Sequence, residues 1–284
     1  MKTSKLGGRL FIALAFLFLY APILVLVVFS FNAANSTAVW RGFTLDWYVQ
    51  LFQNEEILNA LWVTLAVSAL AAVISTVLGT AAAIGFRNLN RRFRGVCMTV
   101  NNIPLTNADI ITGVSMMLLF ILGIDAWNGS LGQFLGIRLN LGFWSLLIAH
   151  ITFDVPYVIL SVLPKLRQLD PNIYEAAQDL GDHGLHAFTA VVLPEIMPGV
   201  VNGLLMAFTL SIDDFVISYF TAGAQTQNLS MVIYSMAKKR VSPEINALST
   251  LMFVTVVALM VVVNLRQASQ ERKAKARRAA LSGQ

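Results

Sequence analysis

FIALAFLFLYAPILVLVVFSF, residues 11–31, runs without one charged side chain. A helix needs about 20 predominantly apolar residues to cross the hydrocarbon of a bilayer. Inside lipid only helices and closed barrels satisfy their own backbone, and a barrel strand would alternate apolar with polar over about 10 residues. This stretch does not alternate, so it reads as a helix. Lys2, Lys5 and Arg9 precede it as they would precede a cleaved signal. The apolar run is longer than the roughly 7–15 residues of a signal peptide, so it is kept as the first span.

Five further stretches read the same way, about 59–85, 98–122, 143–163, 196–220 and 245–264, after a first span at about 10–31. The expected fold is an all-α integral membrane protein with six transmembrane helices in one domain, residues 1–284. Composition agrees: 57% of the residues are hydrophobic and 12% charged. Ordinary soluble chains have roughly 45–50% and 25%. A soluble domain is excluded, because too little polar surface would remain to meet water. Cys97 is the single cysteine, which excludes a disulfide framework, a thiolate cluster and a CxxC redox pair.

Six spans place both termini on one side. The N-terminus, residues 86–97, residues 164–195 and the tail 265–284 hold 15 of the 20 basic residues. Positive residues stay on the side of synthesis, so this set is cytoplasmic. The basic tail fits anionic lipid headgroups and needs no nucleic acid. Lys238, Lys239 and Arg240 are an exception on the outer side. Before them Leu229, Val232, Ile233 and Met236 share one helical face, which predicts a short amphipathic helix around 228–240. Both a plain interfacial helix and a cap over the outer mouth stay open.

Lipid gives no hydrophobic drive between helices, so small residues mark close packing; Gly79 and Ala83 form one such pair. Polar groups at depth are costly and informative. Asp109 and Asp154 are each expected about eleven residues into their spans, near mid-depth. Asp213 and Asp214 lie toward the outer end of the fifth, with Asn101, Asn102, His150 and Gln225 as polar neighbours nearer the boundaries. No basic residue lies deep in a span to pair with these acids. For Asp109 and Asp154 a structural role and a pathway lining both stay open. Asp213 and Asp214 favour the pathway, since adjacent carboxylates on one helix are hard to satisfy structurally. They point about 100° apart, so one faces the lumen and the other braces a neighbour. Pro104, Pro156 and Pro198 open backbone carbonyls or bend helices along the same route.

Catalysis lacks an assembled reactive set. His150 and Asp154 form an i,i+4 pair on one face, while His183 and His186 lie in a separate cytoplasmic loop. No catalytic residue, metal ligand or cofactor is expected.

The cytoplasmic loop 164–195 is the most informative segment. Asp170 and Pro171 start a helix that Gly181 stops, and a second short helix is expected around 184–191. Pro194 and Pro198 break the way into the fifth span. A mere connection needs only a few residues. The small side chains of Ala176 and Ala177 admit close approach by another protein, so a docking surface and a loop packed on its own bundle are both open.

Glu175-Ala176-Ala177, three residues, Gly181, nine residues, Val191, one residue and Leu193-Pro194 resemble the EAA loop of bacterial ABC importer permeases, with valine in place of isoleucine. The likeness extends to FLYAPILVLVVFSFN in the first span, FRG at 93–95, AHITF at 149–153, FTLSIDDFVISYF at 208–220 and SPEINALST at 242–250. Together these are similar to the second permease subunit of spermidine/putrescine importers. The resemblance implies the type I importer permease fold and a coupling loop that docks an ATPase through Glu175, Ala176, Ala177, Gly181, Leu193 and Pro194. It implies polyamine contacts at Asp109, Asp213 and Asp214, and Asp154 completes the expected pathway set. Relatives carry a proline-aspartate step where this chain has Ala108-Asp109, so the kink there is either absent or moved to Pro104.

No GxxxxGK[ST] phosphate loop occurs, so ATP and magnesium belong to a separate ATPase dimer. The other implied partners are a second permease and a periplasmic substrate-binding protein, in the bacterial inner membrane. The implied motion rotates spans 3 to 5 between inward-open and outward-open states. Ferric ion or thiamine as cargo, and an ion-coupled secondary transporter, are the alternatives.

Overall fold

The computed structural model describes residues 3–34, 39–170, 186, 188–239, 243–258, 260–261 and 265. Helices carry the fold: α1 Thr3–Phe29, α2 Asp46–Leu51, α3 Glu55–Asn88, α4 Arg91–Thr106, α5 Asp109–Gly129, α6 Leu131–Leu135 and α7 Phe143–Gln168. After a π-helical turn at Phe188–Val192 come α8 Leu193–Asp213, α9 Val216–Thr221, α10 Leu229–Lys239 and α11 Pro243–Ala258. The chain divides into two compact units, Met1–Asn59 with Val232–Gln284, and Ala60–Met231.

In the second unit α7 is the central element. Its Val158, Ile159, Val162 and Leu166 pack with Ala72 and Ala83 of α3 and with Ile196 and Ala207 of α8. Small residues let these helices meet. A Cβ on Gly79 would lie 2.7 Å from Val158 Cβ, and one on Gly203 3.2 Å from Val158 Cα. Val158 therefore sits in a socket between two glycines, and the Gly79–Ala83 pair faces the interface its spacing predicts. Gly79→Ala is expected to destabilise the protein by about 1–3 kcal/mol through overpacking, read as a lower unfolding midpoint in detergent. An unchanged midpoint would show that the helices separate at no cost.

In the first unit, the loop after α1 is organised by buried Asn32. Its Nδ2 donates to Val39 O at 2.8 Å, and its Oδ1 accepts from Ala34 N at 3.2 Å and Arg41 N at 3.0 Å. Trp47 Nε1 donates to Asn32 O, and Ser30 Oγ lies 2.7 Å from Tyr48 Oη. The amphipathic helix expected near 228–240 is α10, with Leu229 and Val232 buried and Lys238 Nζ 4.8 Å from the Tyr234 ring centroid.

The structure meets the six expected spans in part, and three expectations about their course need correction. Among the described residues five helices are long and apolar enough to cross a membrane: Gly7–Phe29, Glu55–Asn88, Asp109–Gly129, Phe143–Gln168 and Phe188–Asp213. The sixth expected span coincides with α11, whose described length is the shorter Pro243–Ala258. The third expected span, 98–122, is two helices. α4 continues through Pro104, and Asn107 and Ala108 then turn extended at ψ 152° and 136°. Three asparagines and a proline weaken the helix there, but a hydropathy window averages them with the apolar residues that follow. The fifth span is broken at Asp214, where ψ is 122°, and does not run unbroken to 220. At its other end Pro194 sits in the first turn of α8 and Pro198 lies inside the helix, so neither breaks it.

Candidate functional site

The break between α8 and α9 gathers the polar residues of the second unit. Asp214 turns its carboxylate onto the start of α9, accepting Ile217 N–H at 3.3 Å and Ser218 N–H at 2.8 Å. These amides are the orphan donors of a new helix start, and an aspartate is a good group to satisfy them. Asn228 folds back over the break, its Nδ2 donating to Asp214 O at 3.0 Å and to Ser218 Oγ at 2.7 Å. From α7, His150 reaches both sides: Nδ1 lies 2.6 Å from Ser211 Oγ on α8, and Nε2 lies 2.9 Å from Ser218 Oγ on α9. His150 Nε2 is also 3.7 Å from Asp214 Oδ2. Ser145 Oγ donates to Thr221 O at the end of α9, and Thr64 Oγ1 of α3 accepts Leu229 N–H, each at 2.7–2.8 Å. His150, Ser211, Ser218 and Asn228 are each at most 2% exposed. A buried polar network of this kind is stable only when its members are satisfied, and these are.

The four expected pathway acids separate into two pairs. Asp213 is exposed at the end of α8, and its carboxylate makes no hydrogen bond or ion pair among the described residues. Asp109 is exposed too, but in the first turn of α5 rather than deep within a span. Gly113, one turn later, packs closely on α9, 3.5 Å from Ile217 Cα as measured from an added Cβ. Each exposed acid therefore stands four residues before the contact between α5 and α9. Asp214 is half-enclosed and committed to its cap. Asp154 is wholly buried, and neither carboxylate oxygen has a hydrogen-bond partner among the described residues. The possible His150–Asp154 pair does not form, because both ring nitrogens are engaged by serines.

Among the expected ATPase contacts, Glu175, Ala176, Ala177 and Gly181 lie outside the described residues, while Leu193 and Pro194 open α8. Among the described residues no group of three or more His, Cys, Asp or Glu could hold a metal ion. Sequence reading missed Ser211, Ser218, Asn228 and Thr64. Their signal was weak, since single hydroxyls are common in membrane helices and only their convergence on one break gives them a role.

The family described as binding-protein-dependent transport system inner membrane component matches residues 75–276. The putrescine transport system permease protein PotI of Escherichia coli K12 is 40% identical over 240 residues, 84% of this chain and 82% of that protein. The spermidine/putrescine transport system permease protein PotC of Haemophilus influenzae is 35% identical over 263 residues, 91% of this chain and 97% of that protein. In fold, the chain resembles a bacterial ABC transporter involved in import of the acidic polysaccharide alginate, with TM-score 0.70 and 18% identity, covering 94% of this chain and 96% of that one. An anionic polymer as that protein's cargo shows that this fold does not choose the substrate by itself. The all-α, multi-pass architecture is that of type I ABC importer permeases. By sequence and by fold the chain belongs to the inner-membrane components of binding-protein-dependent transport systems, as a non-catalytic permease subunit of an ABC importer whose ATPase activity resides in a separate subunit.

Proposed function

We propose that this permease forms half of a pathway carrying polyamines, putrescine or spermidine, from periplasm to cytoplasm. The observation that carries the reading is the exposed Asp213 at the break of the fifth span, unpaired among the described residues, in a chain 40% identical to a putrescine permease. A carboxylate at membrane depth is costly against lipid, so an exposed one belongs on a wet path or a subunit contact. Asp109 is its counterpart on α5. The enclosure of Asp154 and Asp214 supports a bracing role behind that surface, with Asp154 joining the path only in another conformation.

In this reading the sixth span is the one expected at about 245–264, which includes most of α11, and both termini are cytoplasmic. A second, similar permease completes the path, and a periplasmic binding protein delivers the amine. ATP-driven closure of an ATPase dimer acts through the EAA loop at 164–195, with Glu175, Ala176, Ala177, Gly181, Leu193 and Pro194 at the junction. Inward movement of a cation is favoured by roughly 2.3 kcal/mol per charge per 100 mV, so ATP supplies direction and accumulation. Uptake of labelled putrescine and spermidine, in cells with and without this subunit, tests the cargo. Loss of either uptake on deletion is expected. Unchanged uptake of both, with reduced uptake of ferric ion or thiamine, would replace the polyamine by that cargo.

A further inference from the structure

We infer that His150 is a positioning residue for transport: its imidazole, protonated on Nε2, ties α8 to α9 across the break and so sets the direction in which Asp213 faces. The inference rests on the proposed role of Asp213 in the pathway.

The protonation pattern follows from counting. Ser218 Oγ has one proton and two lone pairs. Asn228 must present its N–H₂ to Ser218, because its Oδ1 accepts Met231 N–H at 2.9 Å. That fills one lone pair. The serine proton goes to Asp214, whose Oδ2 is 3.0 Å away and whose carbonyl is 3.2 Å away. That carbonyl can only accept, and Oδ2 already accepts Ser218 N–H. A serine proton aimed at His150 instead would leave two oxygens 3.0 Å apart with no hydrogen between them. His150 Nε2 must therefore donate into the remaining lone pair. In the neutral imidazole Nδ1 then accepts, and Ser211 Oγ donates to it at 2.6 Å. The result is one directional chain, from Ser211 to His150 to Ser218 to Asp214, that leaves α8, crosses α7, enters α9 and returns to the break.

The chain has a consequence for Asp213. The backbone bond Asp214 N–H to Leu210 O at 3.1 Å closes the last turn of α8, and Asp213 sits inside that turn. The cap bonds start α9 two residues after Asp214. Between them the chain has no helical bond to fix the angle of α9. His150 supplies a fixed rod between Ser211 and Ser218, seven residues apart along the chain. Removing the ε end takes away one tie to α9, which Ser145 and the Asp214 cap still hold, and leaves the last turn of α8, with Asp213, tied to α7. Removing the δ end unties that last turn from α7 while the body of α8 stays packed.

Two substitutions separate these ends. The amide of His150→Gln reaches the place of Nε2 and retains the bond to Ser218, whereas His150→Asn reaches only the place of Nδ1 and retains the bond to Ser211. With the full chain in cells alongside its partner subunits, His150→Gln is expected to raise the apparent KM for putrescine about tenfold at an equal amount of permease in the membrane, and His150→Asn is expected to restore most of it. Equal impairment in the two variants, or a lower maximal rate at unchanged KM, would overturn the inference.

A second readout does not depend on cargo. In a Cys97→Ser background carrying Asp213→Cys, the labelling rate by a quaternary-ammonium methanethiosulfonate reports how position 213 is presented. His150→Gln is expected to change that rate about fivefold or more, and His150→Asn to leave it close to the parent, in line with loss of one hydrogen bond. The same rate in all three chains would refute the tie across the break. A changed rate without any putrescine uptake in the wild type would retain the tie and reject the cargo.

Discussion

Asp213→Asn lowers putrescine uptake about tenfold to a hundredfold, because a charge-assisted contact to an ammonium is worth about 1.5–3 kcal/mol. Its unfolding midpoint stays at the wild-type value, since the exposed carboxylate makes no hydrogen bond or ion pair among the described residues. Initial uptake rates at saturating binding protein, together with thermal unfolding in detergent, give both halves of the result. Wild-type uptake would remove Asp213 from the pathway.

Asp214→Ala gives the opposite pattern. It removes the acceptor for Ile217 N–H, Ser218 N–H and Ser218 Oγ–H at once. A lost helix cap costs about 0.5–2 kcal/mol, and buried donors left without an acceptor add about 1–3 kcal/mol. The expected sum is about 1.5–5 kcal/mol of lost stability, seen as a lower unfolding midpoint and less permease in the membrane. Asp214→Asn keeps one acceptor oxygen and falls between the two. A stable Asp214→Ala protein with abolished uptake would exchange the roles of the neighbouring acids. The two substitutions therefore distinguish a group that meets the cargo from one that holds the wall.

That division was half legible in the sequence. Two carboxylates about 100° apart on one helix had to serve different faces. Which was which depended on the backbone break at Asp214, hidden by the apolar run Phe215 to Phe220 that follows it. Span positions were read from averages, and averages are blind to single extended residues. The same blindness placed Asp109 deep in a span, when the extended pair Asn107–Ala108 puts it in the first turn of α5. The Gly79–Ala83 pair was readable because helix spacing alone fixes which face it occupies. The network around His150 was not, because Thr64, Ser211, Ser218 and Asn228 come from segments far apart in the chain. The EAA motif decided the family from spacing alone, with no help from side-chain geometry.

Val158, held between Gly79 and Gly203, limits how this permease changes shape. Helices separated by a full layer of side chains slide by shear as rotamers readjust. Here the backbones of α3, α7 and α8 meet with almost nothing between them: a methyl group on Gly79 would already touch Val158 at 2.7 Å, and on Gly199 would lie 2.9 Å from Ser161 O. Such a contact has no rotamers to readjust and no slack to slide through. The three helices therefore move as one stiff body. In the proposed transport cycle, movement of this body is then a hinge motion, with its joints at the extended residues Asn107, Ala108 and Asp214, beside the exposed Asp109 and Asp213.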